Sequence, residues 1–353
     1  MLFYIGTYTA QGGEGIYSCQ YDPSTGMLSN LRAQARAVNP TFLCLHPTLP
    51  TLYAANEVTE LAGQETGGVS VYAVAPDGAL TLLNQQPSHG TSPCYVSVDA
   101  TGHWLLVANY SSGSVAVLPI LADGVLGPAS DVVQHQGTGA DSDRQEGPHA
   151  HFIHPDPAGR FVLACDLGTD EVKVYRLDAD RGTLTPNDPP SVRLAAGQGP
   201  RHLAFHPNGR WVYVINELGS TMTAFSYDGG RGILTETGTV STLPEGYAQV
   251  SYCADVHVAP SGRYVYGSNR GHDSIVILRV DAATGMVKVV GFESTQGSYP
   301  RNFCLAPGGD WLLAANQKGD SLVSYWVDVE SGLLRSTGHG LRVSMPVCLL
   351  PAR

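Results

Sequence analysis

Charge is scarce in this sequence of 353 residues, since Asp, Glu, Lys and Arg together make up only 14% of it. No run of basic residues and no basic patch interleaved with aromatic residues is present, which argues against a nucleic-acid-binding surface. The chain carries 31 acidic and 20 basic residues, a net charge of −11 at pH 7. Any anionic ligand would therefore need a local basic pocket.

Long apolar runs are also missing. The opening stretch MLFYIGTYTA has no charged n-region and only a brief apolar run, and no later segment is long enough to span a bilayer. We therefore expect neither a signal peptide nor a membrane anchor, and a cytoplasmic location. The seven cysteines are odd in number and have no CxxC spacing, so we expect reduced, packed thiols without a disulfide framework or a zinc site.

Turn residues, in contrast, are abundant. The 41 glycines and 23 prolines indicate an all-β protein with many short strands. A hairpin of two strands joined by a tight turn recurs six times. Its copies span residues 39–57, 92–110, 147–167, 199–217, 251–270 and 299–317.

A second pattern, a strand followed by a turn and a leucine-like residue, occurs seven times. Its copies begin at Gly15, Gly68, Gly113, Val172, Thr221, Asp273 and Asp320. The terminal segments 345–351 and 2–8 supply the two halves of a seventh hairpin. The repeat predicts one domain, residues 1–353, with seven four-stranded units arranged as a β-propeller and closed by the chain ends. Two β-sandwiches would not explain why the termini complement each other.

The repeat also predicts a functional face, because the start of each hairpin's first strand and the end of its second strand must share one end of the propeller. At the start of the first strand we align Thr41, Cys94, His149, Arg201, Ala254, Arg301 and Met345. After the second strand we align Thr7, Glu57, Tyr110, Leu167, Glu217, Arg270 and Gln317. Residues that differ from blade to blade are the candidates for chemistry.

Five of these side chains, namely His149, Arg201, Glu217, Arg270 and Arg301, are expected to line one sector of the channel mouth. Arg201 and Glu217 could simply pair with each other, and His149 could cap a loop. Three arginines against one nearby glutamate nevertheless leave a surplus of positive charge, which favours an anionic ligand. A long loop, residues 125–148, is expected at the same face and contains Arg144; it could cover the pocket or be a tolerated insertion.

Several other sites are not indicated. The glycines of GTGAD lack the strand-to-helix setting of a phosphate-binding loop, and neither a GxSxG elbow nor an HExxH motif is present. We therefore expect no cofactor and no metal. His46, His154 and His206 each precede the proline of a hairpin turn at the opposite face and are expected to be structural.

The motifs YIGTYT, RQEGPHAH, GPRHLAFHP, VINEL, GSNRGHDSI, YPRNF and AANQ together cover nearly the whole chain. In this combination the sequence resembles the propeller-type lactonases, a family that includes bacterial 6-phosphogluconolactonases and the fungal 3-carboxy-cis,cis-muconate lactonizing enzyme. The resemblance implies a seven-bladed propeller and a carboxylic ester hydrolase acting on a small anionic lactone, most simply 6-phosphogluconolactone of the pentose phosphate pathway. It implies no membrane, nucleic acid or obligate protein partner.

The resemblance further implies a catalytic set of one histidine, one glutamate and two arginines, which match His149, Glu217, Arg201 and Arg270. The motif PHAH also offers His151, and spacing alone does not choose between the two histidines. Substrate-binding roles are predicted for Arg301, His151, Gln317 and Arg144.

Lactone hydrolysis needs a base for the attacking water and positive charge at the developing oxyanion. Either Glu217 or His149 could be the base. Neighbouring guanidinium groups should keep Glu217 ionised, which favours His149 as the proton donor. A muconate-type lactone enzyme, or a propeller that only binds other proteins, would be the alternatives.

Overall fold

Seven antiparallel sheets of four strands, here called blades, make up the regular structure of the protein. The structure, a computed structural model, describes residues 1–306 and 308–352. From the innermost strand outward, the blades consist of β28 (Pro346–Pro351), β1 (Leu2–Thr7), β2 (Gly15–Tyr21) and β3 (Leu28–Arg36); β4 (Pro40–Leu45), β5 (Thr51–Asn56), β6 (Gly68–Val74) and β7 (Leu80–Pro87); β8 (Pro93–Val98), β9 (Trp104–Asn109), β10 (Ser114–Pro119) and β11 (Asp131–Gln134); β12 (Ala150–Pro155), β13 (Phe161–Asp166), β14 (Glu171–Asp178) and β15 (Thr183–Arg193); β16 (Pro200–Phe205), β17 (Trp211–Asn216), β18 (Thr221–Asp228) and β19 (Ile233–Ser241); β20 (Tyr252–Val258), β21 (Tyr264–Arg270), β22 (Ser274–Val280) and β23 (Val287–Ser294); β24 (Pro300–Leu305), β25 (Trp311–Asn316), β26 (Ser321–Val327) and β27 (Leu334–Arg342).

The two ends of the chain close the ring. The last strand, β28, pairs with β1 so that Tyr4 lies opposite Leu350 and Ile5 opposite Leu349. The predicted seven-bladed propeller, closed by its terminal strands, is therefore confirmed.

Burial follows the position of a strand within its blade. Every residue of the second strands β5, β17 and β25 is buried, because both faces of these strands lie against neighbouring sheets. The outermost strand β7 is largely exposed or half-buried. Continuous apolar runs in the sequence thus mark the inner strands, whereas polar residues mark the rim.

A repeated tyrosine ties each of several blades to the next. In four blades a buried tyrosine of the second strand donates its hydroxyl to the carbonyl of a glycine in the adjacent blade's outer turn, the pairs being Tyr4 with Gly78, Tyr53 with Gly124, Tyr213 with Gly285 and Tyr266 with Gly332. Gly285 has a φ of +72°, and a Cβ there would lie 2.3 Å from the Trp211 ring. Only glycine combines this backbone conformation with so close a contact.

The innermost strands carry a β-bulge near their first residue. In β16 the pairing passes from Pro200 to His202, so that Arg201 is the additional residue. The equivalent shifts leave Thr41, Cys94, His151 and Arg301 as additional residues of β4, β8, β12 and β24. A bulge of this kind redirects a side chain, here toward the central channel.

This strand register corrects part of the alignment of the seven blades that we derived from the sequence. Ala150 pairs with Asp166 as Pro200 pairs with Asn216, so the counterpart of Arg201 in β12 is His151 and not His149. Likewise the counterpart in β28 is Val347 and not Met345, and Tyr8 rather than Thr7 corresponds to Glu57. The Gly-Pro dipeptides at 147–148 and 199–200 look equivalent but lie two positions apart in the register.

The predicted loop 125–148 is also wrong in part, because it contains β11 (Asp131–Gln134). The connection to the next blade is the segment 135–149. Within the described residues, no helix is long and apolar enough to cross a membrane.

Candidate active site at the channel mouth

A cavity of about 240 Å³ opens where the first strands begin and the second strands end. Its lining side chains come from all seven blades and from the segment 135–149: Tyr8, Glu57, Cys94, Tyr110, Arg144, His151, Glu217, Tyr252, Arg270, Tyr299 and Arg301. Pockets for drug-sized ligands typically measure about 300–1,000 Å³. The cavity is therefore suited to a small metabolite.

Glu217 is the centre of the polar network. Its Oε2 accepts hydrogen bonds from Arg201 Nε at 3.0 Å and lies 2.6 Å from Arg270 Nη2. Its Oε1 accepts from Arg144 Nη2 at 2.7 Å. The loop after β17 thus presents one carboxylate to three guanidinium groups.

Burial alone would raise the pKa of Glu217, but the charges of Arg270, Arg201 and Arg144 outweigh it and hold that pKa far below its usual range. The carboxylate is therefore ionised throughout the neutral range. Oε1 receives one hydrogen bond from the described residues, whereas a carboxylate oxygen has two acceptor positions. The second position is available to a water molecule in the cavity.

Among the arginines of the site, Arg301 makes the fewest hydrogen bonds to the described residues. Its side chain is 17% exposed, and its nearest acidic atom, Glu57 Oε2, lies 4.0 Å away. Glu57 is instead bound by the hydroxyls of Tyr8 and Thr41, at 2.6 and 2.7 Å. Within the described part of the chain, the Arg301 guanidinium donates no hydrogen bond, so its planar set of donors is free for a ligand.

The two candidate histidines occupy different places. His151 lines the cavity, and its pKa is lowered well below the usual value by burial and by the nearby charges of Arg201 and Arg301. His149 lies behind the wall, where its ring stacks on Tyr110 at 4.6 Å and its Nδ1 lies 3.0 Å from the Tyr110 carbonyl oxygen. The cavity therefore holds a neutral His151 and does not include His149.

Arg201 lies beneath the cavity floor. Its side chain is 2% exposed and lines a small separate void, together with Cys94 and Arg301, which also line the cavity. Gln317 also lies outside the cavity lining; its backbone N–H bonds to the Tyr299 carbonyl oxygen, and its side-chain oxygen is buried without a hydrogen bond among the described residues. Of the eight predicted site residues, five line the cavity: Glu217, Arg270, Arg301, His151 and Arg144.

The segment 135–149 delivers Arg144 to the cavity and is firmly anchored. Gln145, 1% exposed, donates to Leu167 O and to Asp170 Oδ1, each at 2.8 Å. His135 is bound between Asp166 and the Tyr175 hydroxyl. Arg144 itself bridges Glu217 and the Tyr110 hydroxyl. The segment therefore acts as a fixed part of the wall and contributes a charge to it.

Sequence reasoning missed the aromatic part of the lining, notably Tyr8, Tyr252 and Tyr299. The guanidinium carbons of Arg144, Arg270 and Arg301 lie 5.2–5.6 Å from the ring centres of Tyr252, Tyr299 and Tyr8, respectively. The signal for Tyr299 was its place immediately before the Pro-Arg pair of YPRNF. These rings limit the mobility of the arginine side chains that a ligand would contact.

The balance of charge at the site is positive. The described cavity lining contains Arg144, Arg270 and Arg301 against the carboxylates of Glu57 and Glu217, and Arg201 adds a fourth positive charge beside Glu217. Among the described residues, no cluster of three or more His, Cys, Asp or Glu side chains is arranged to hold a metal ion. The site is thus a small cationic cavity with two carboxylates and one neutral imidazole, a constellation that can bind and polarise an anionic ester.

Comparison with known proteins agrees with this interpretation. Residues 2–351 match the family described as "Lactonase, 7-bladed beta-propeller". A 6-phosphogluconolactonase of Bacillus subtilis is 39% identical over 83% of this chain and 81% of its own length, and one of Formosa agariphila is 29% identical over 83% and 82%. The solved periplasmic gluconolactonase of Pseudomonas aeruginosa superposes with a TM-score of 0.93 at 34% identity, covering 99% of this chain and 98% of the other.

The fold and the site together define a propeller enzyme of the lactone-hydrolysing class. The chain belongs to the seven-bladed β-propeller lactonase family. The predicted family and enzyme class are therefore confirmed, while the roles of individual site residues stay predictions.

Proposed function

We propose that this protein hydrolyses 6-phospho-D-glucono-1,5-lactone to 6-phosphogluconate, a reaction of the pentose phosphate pathway. Relatives that align over most of the chain carry the name 6-phosphogluconolactonase. The observation in the site that supports this proposal most strongly is the guanidinium of Arg301, which donates no hydrogen bond to the described residues and lies in a cavity with surplus positive charge. An arginine fork of this kind binds phosphate or carboxylate oxygens in a bidentate manner.

In the proposed mechanism, Glu217 receives the proton of the attacking water. Two of the arginines that hold its pKa low, Arg270 and Arg144, line the cavity and are placed to contact the anionic substrate, so substrate binding would partly neutralise their charge and make the carboxylate more basic. Water adds to the lactone carbonyl carbon, and Arg270 and Arg144 stabilise the resulting oxyanion. The bond from C1 to the ring oxygen then breaks, the ring oxygen takes up the proton, and the new carboxylic acid ionises.

His151 takes the place that the sequence suggested for His149. Because its pKa is lowered, His151 is a neutral imidazole, which can donate a hydrogen bond to a developing negative charge without transferring a full proton. We assign it to the leaving ring oxygen or the oxyanion. Arg201 supports Glu217 from below, and no direct substrate contact is proposed for Arg201, Gln317 or His149.

Two further predictions belong to this proposal. Residues 1–353 are proposed to form one domain acting without an obligate protein partner. A cytoplasmic location is supported by the seven cysteines, all of which are free thiols in the structure.

The test is hydrolysis by the purified protein of freshly generated 6-phosphogluconolactone, corrected for spontaneous ring opening. Glucono-1,5-lactone and a carboxymuconolactone serve as comparison substrates. We expect a kcat/KM at least about tenfold higher for the phosphorylated lactone, because one charge-assisted hydrogen bond contributes about 1.5–3 kcal/mol. Equal turnover of both sugar lactones would contradict phosphate recognition, and turnover of the muconolactone alone would contradict the proposed substrate class.

A further inference from the structure

A chain of buried side chains runs from the cavity floor down the central channel. Arg201 Nη1 lies 3.2 Å from His202 Nε2, and His202 Nδ1 lies 2.9 Å from Asp255 Oδ1. All three residues are at most 5% exposed. The upper end of this chain is Glu217, which Arg201 Nε binds at 3.0 Å.

Hydrogen-bonding capacity fixes the direction of every bond in this chain. A guanidinium only donates, so His202 Nε2 must accept from Arg201 and carry no proton. The Asp255 carboxylate only accepts, so His202 Nδ1 must carry the proton. His202 is therefore a neutral imidazole in one defined tautomer. This agrees with its pKa, which burial and the charge of Arg201 lower to about 4.

Asp255 is in turn immobilised from several sides. Its Oδ2 lies 3.1 Å from His257 Nε2 and accepts from Asn302 Nδ2 at 2.6 Å. Its Oδ1 also accepts from the backbone N–H of Val256 at 3.0 Å. Burial alone would raise the pKa of Asp255, but His257 and His202 hold it well below its usual range. A fixed, ionised carboxylate thus defines the position of the imidazole.

Arg201 also depends on fixed acceptors to hold its guanidinium in one orientation. Its other Nη1 acceptor is the carbonyl oxygen of Ala254, the residue that precedes Asp255 in the bulge of β20. The Ala254 carbonyl and the imidazole therefore fix the end of the guanidinium, and its Nε then fixes Glu217 Oε2. An ion pair alone would leave the orientation of the carboxylate free, whereas directed hydrogen bonds do not.

We infer that His202 and Asp255 are positioning residues for the lactonase reaction, which hold Arg201 and, through it, the Glu217 carboxylate in the orientation required to receive the water proton. This inference rests on the proposed function of Glu217. Neither residue lines the mouth cavity, so neither is expected to contact the substrate.

The variant His202→Asn tests the inference. The asparagine amide keeps a nitrogen close to the position of Nδ1, so Asp255 stays paired, but the acceptor for Arg201 is lost. Since small displacements of a reacting group can lower rates by up to about 100-fold, we expect kcat to fall about 10- to 100-fold with KM changed less than about threefold. The acidic limb of the kcat/KM profile should also move to higher pH, because a displaced Arg201 lowers the pKa of Glu217 less.

His154→Asn is the matched control, because His154 also lies in the channel but hydrogen-bonds to the Pro155 carbonyl oxygen, with no contact to Arg201 among the described residues. Its kcat should stay within about twofold of wild type. Equal losses in both variants, or a loss of His202→Asn expressed in KM alone, would overturn the positioning role.

Nitrogen NMR of the wild-type histidines provides a readout that does not depend on activity. We expect His202 to be neutral, with Nδ1 protonated and Nε2 unprotonated, at pH 7. Protonation at Nε2 would overturn the inference even if the enzyme is active. If the wild type does not hydrolyse the lactone but His202 shows this tautomer, the proposed substrate fails while the hydrogen-bonded chain stands.

Discussion

The two ends of the central channel are built from the same innermost strands but differ in chemistry. The mouth cavity measures about 240 Å³ and is lined by three arginines and two glutamates. The cavity at the far end measures about 880 Å³ and has no lysine or arginine among its described lining residues. Its carboxylates are those of Asp99, Asp156 and Asp255, and its walls are mainly aliphatic and aromatic. The larger space is therefore not the one equipped for an anionic substrate.

The difference follows the repeat itself. At the far end, the equivalent residues that close the first strands are apolar in each blade: Leu45, Val98, Pro155, Phe205, Val258, Leu305 and Pro351. At the mouth, the bulge residues differ from blade to blade and include a threonine, a cysteine, a histidine and two arginines. Positions whose side chains only pack carry the same type of residue in every blade, whereas positions that contribute to a site carry different residues from blade to blade.

The largest effect is expected for Glu217→Gln at the mouth. Loss of a positioned base typically lowers rates by about 10²- to 10⁴-fold, so we expect kcat to fall by at least about 100-fold. The glutamine retains the volume and one of the two acceptor oxygens, and circular dichroism with thermal unfolding will show whether the fold persists. A folded variant with at least one tenth of wild-type kcat would show that Glu217 is not the base.

A smaller effect is expected for Arg301→Met. Because charge-assisted hydrogen bonds contribute about 1.5–3 kcal/mol, KM for the phosphorylated lactone should rise about 10- to 100-fold. The kinetics of glucono-1,5-lactone should change little, since it has no anionic group for this arginine. An equal loss for both lactones would assign Arg301 to the ester and not to the phosphate.

The next comparison separates the two histidines. His151→Leu should lower kcat about tenfold, because it removes a neutral hydrogen-bond donor from the cavity. His149→Leu should leave kcat within about threefold, since His149 does not line the cavity and instead contacts Tyr110 and Glu146. Steady-state kinetics of both variants decides the matter, and the reverse order of effects would restore His149 as the catalytic histidine.

The smallest effect is expected at the far end. Tyr95→Phe removes a hydroxyl that makes no hydrogen bond among the described residues, from a ring that stacks on Phe42 at 3.9 Å. Its kcat/KM should stay within about twofold of wild type. A loss of tenfold or more would mean that the far cavity takes part in turnover and that the contrast between the two ends is mistaken.

Sequence periodicity was sufficient to predict the fold, because the turns and the buried strands recur in every blade. The number of blades followed from the complementary patterns of the two chain ends. It was also sufficient to bring Glu217, Arg270 and Arg301 to one face. It failed where a β-bulge decides which side chain enters the channel. The spacing of 16 residues between Pro200 and Asn216, applied backward from Asp166, reaches Ala150 and so identifies His151.

The roles of Arg201 and of the segment 135–149 could not be predicted in the same way. Whether Arg201 lies in the cavity or below it depends on the depth of the bulge within the channel, which strand patterns do not contain. Arg144 reaches Glu217 across 73 positions of sequence through an irregular segment held by Gln145 and His135. Such long-range side-chain contacts leave no local periodicity to detect.

The most direct test of where the chemistry takes place is a crystal structure of the protein with 6-phosphogluconate, the product of the proposed reaction. We predict the product in the mouth cavity, with its phosphate within hydrogen-bonding distance of Arg301 and its carboxylate beside Arg270 and Glu217. Product bound in the far cavity, or none at the mouth at concentrations that inhibit turnover, would contradict the assignment of the active site.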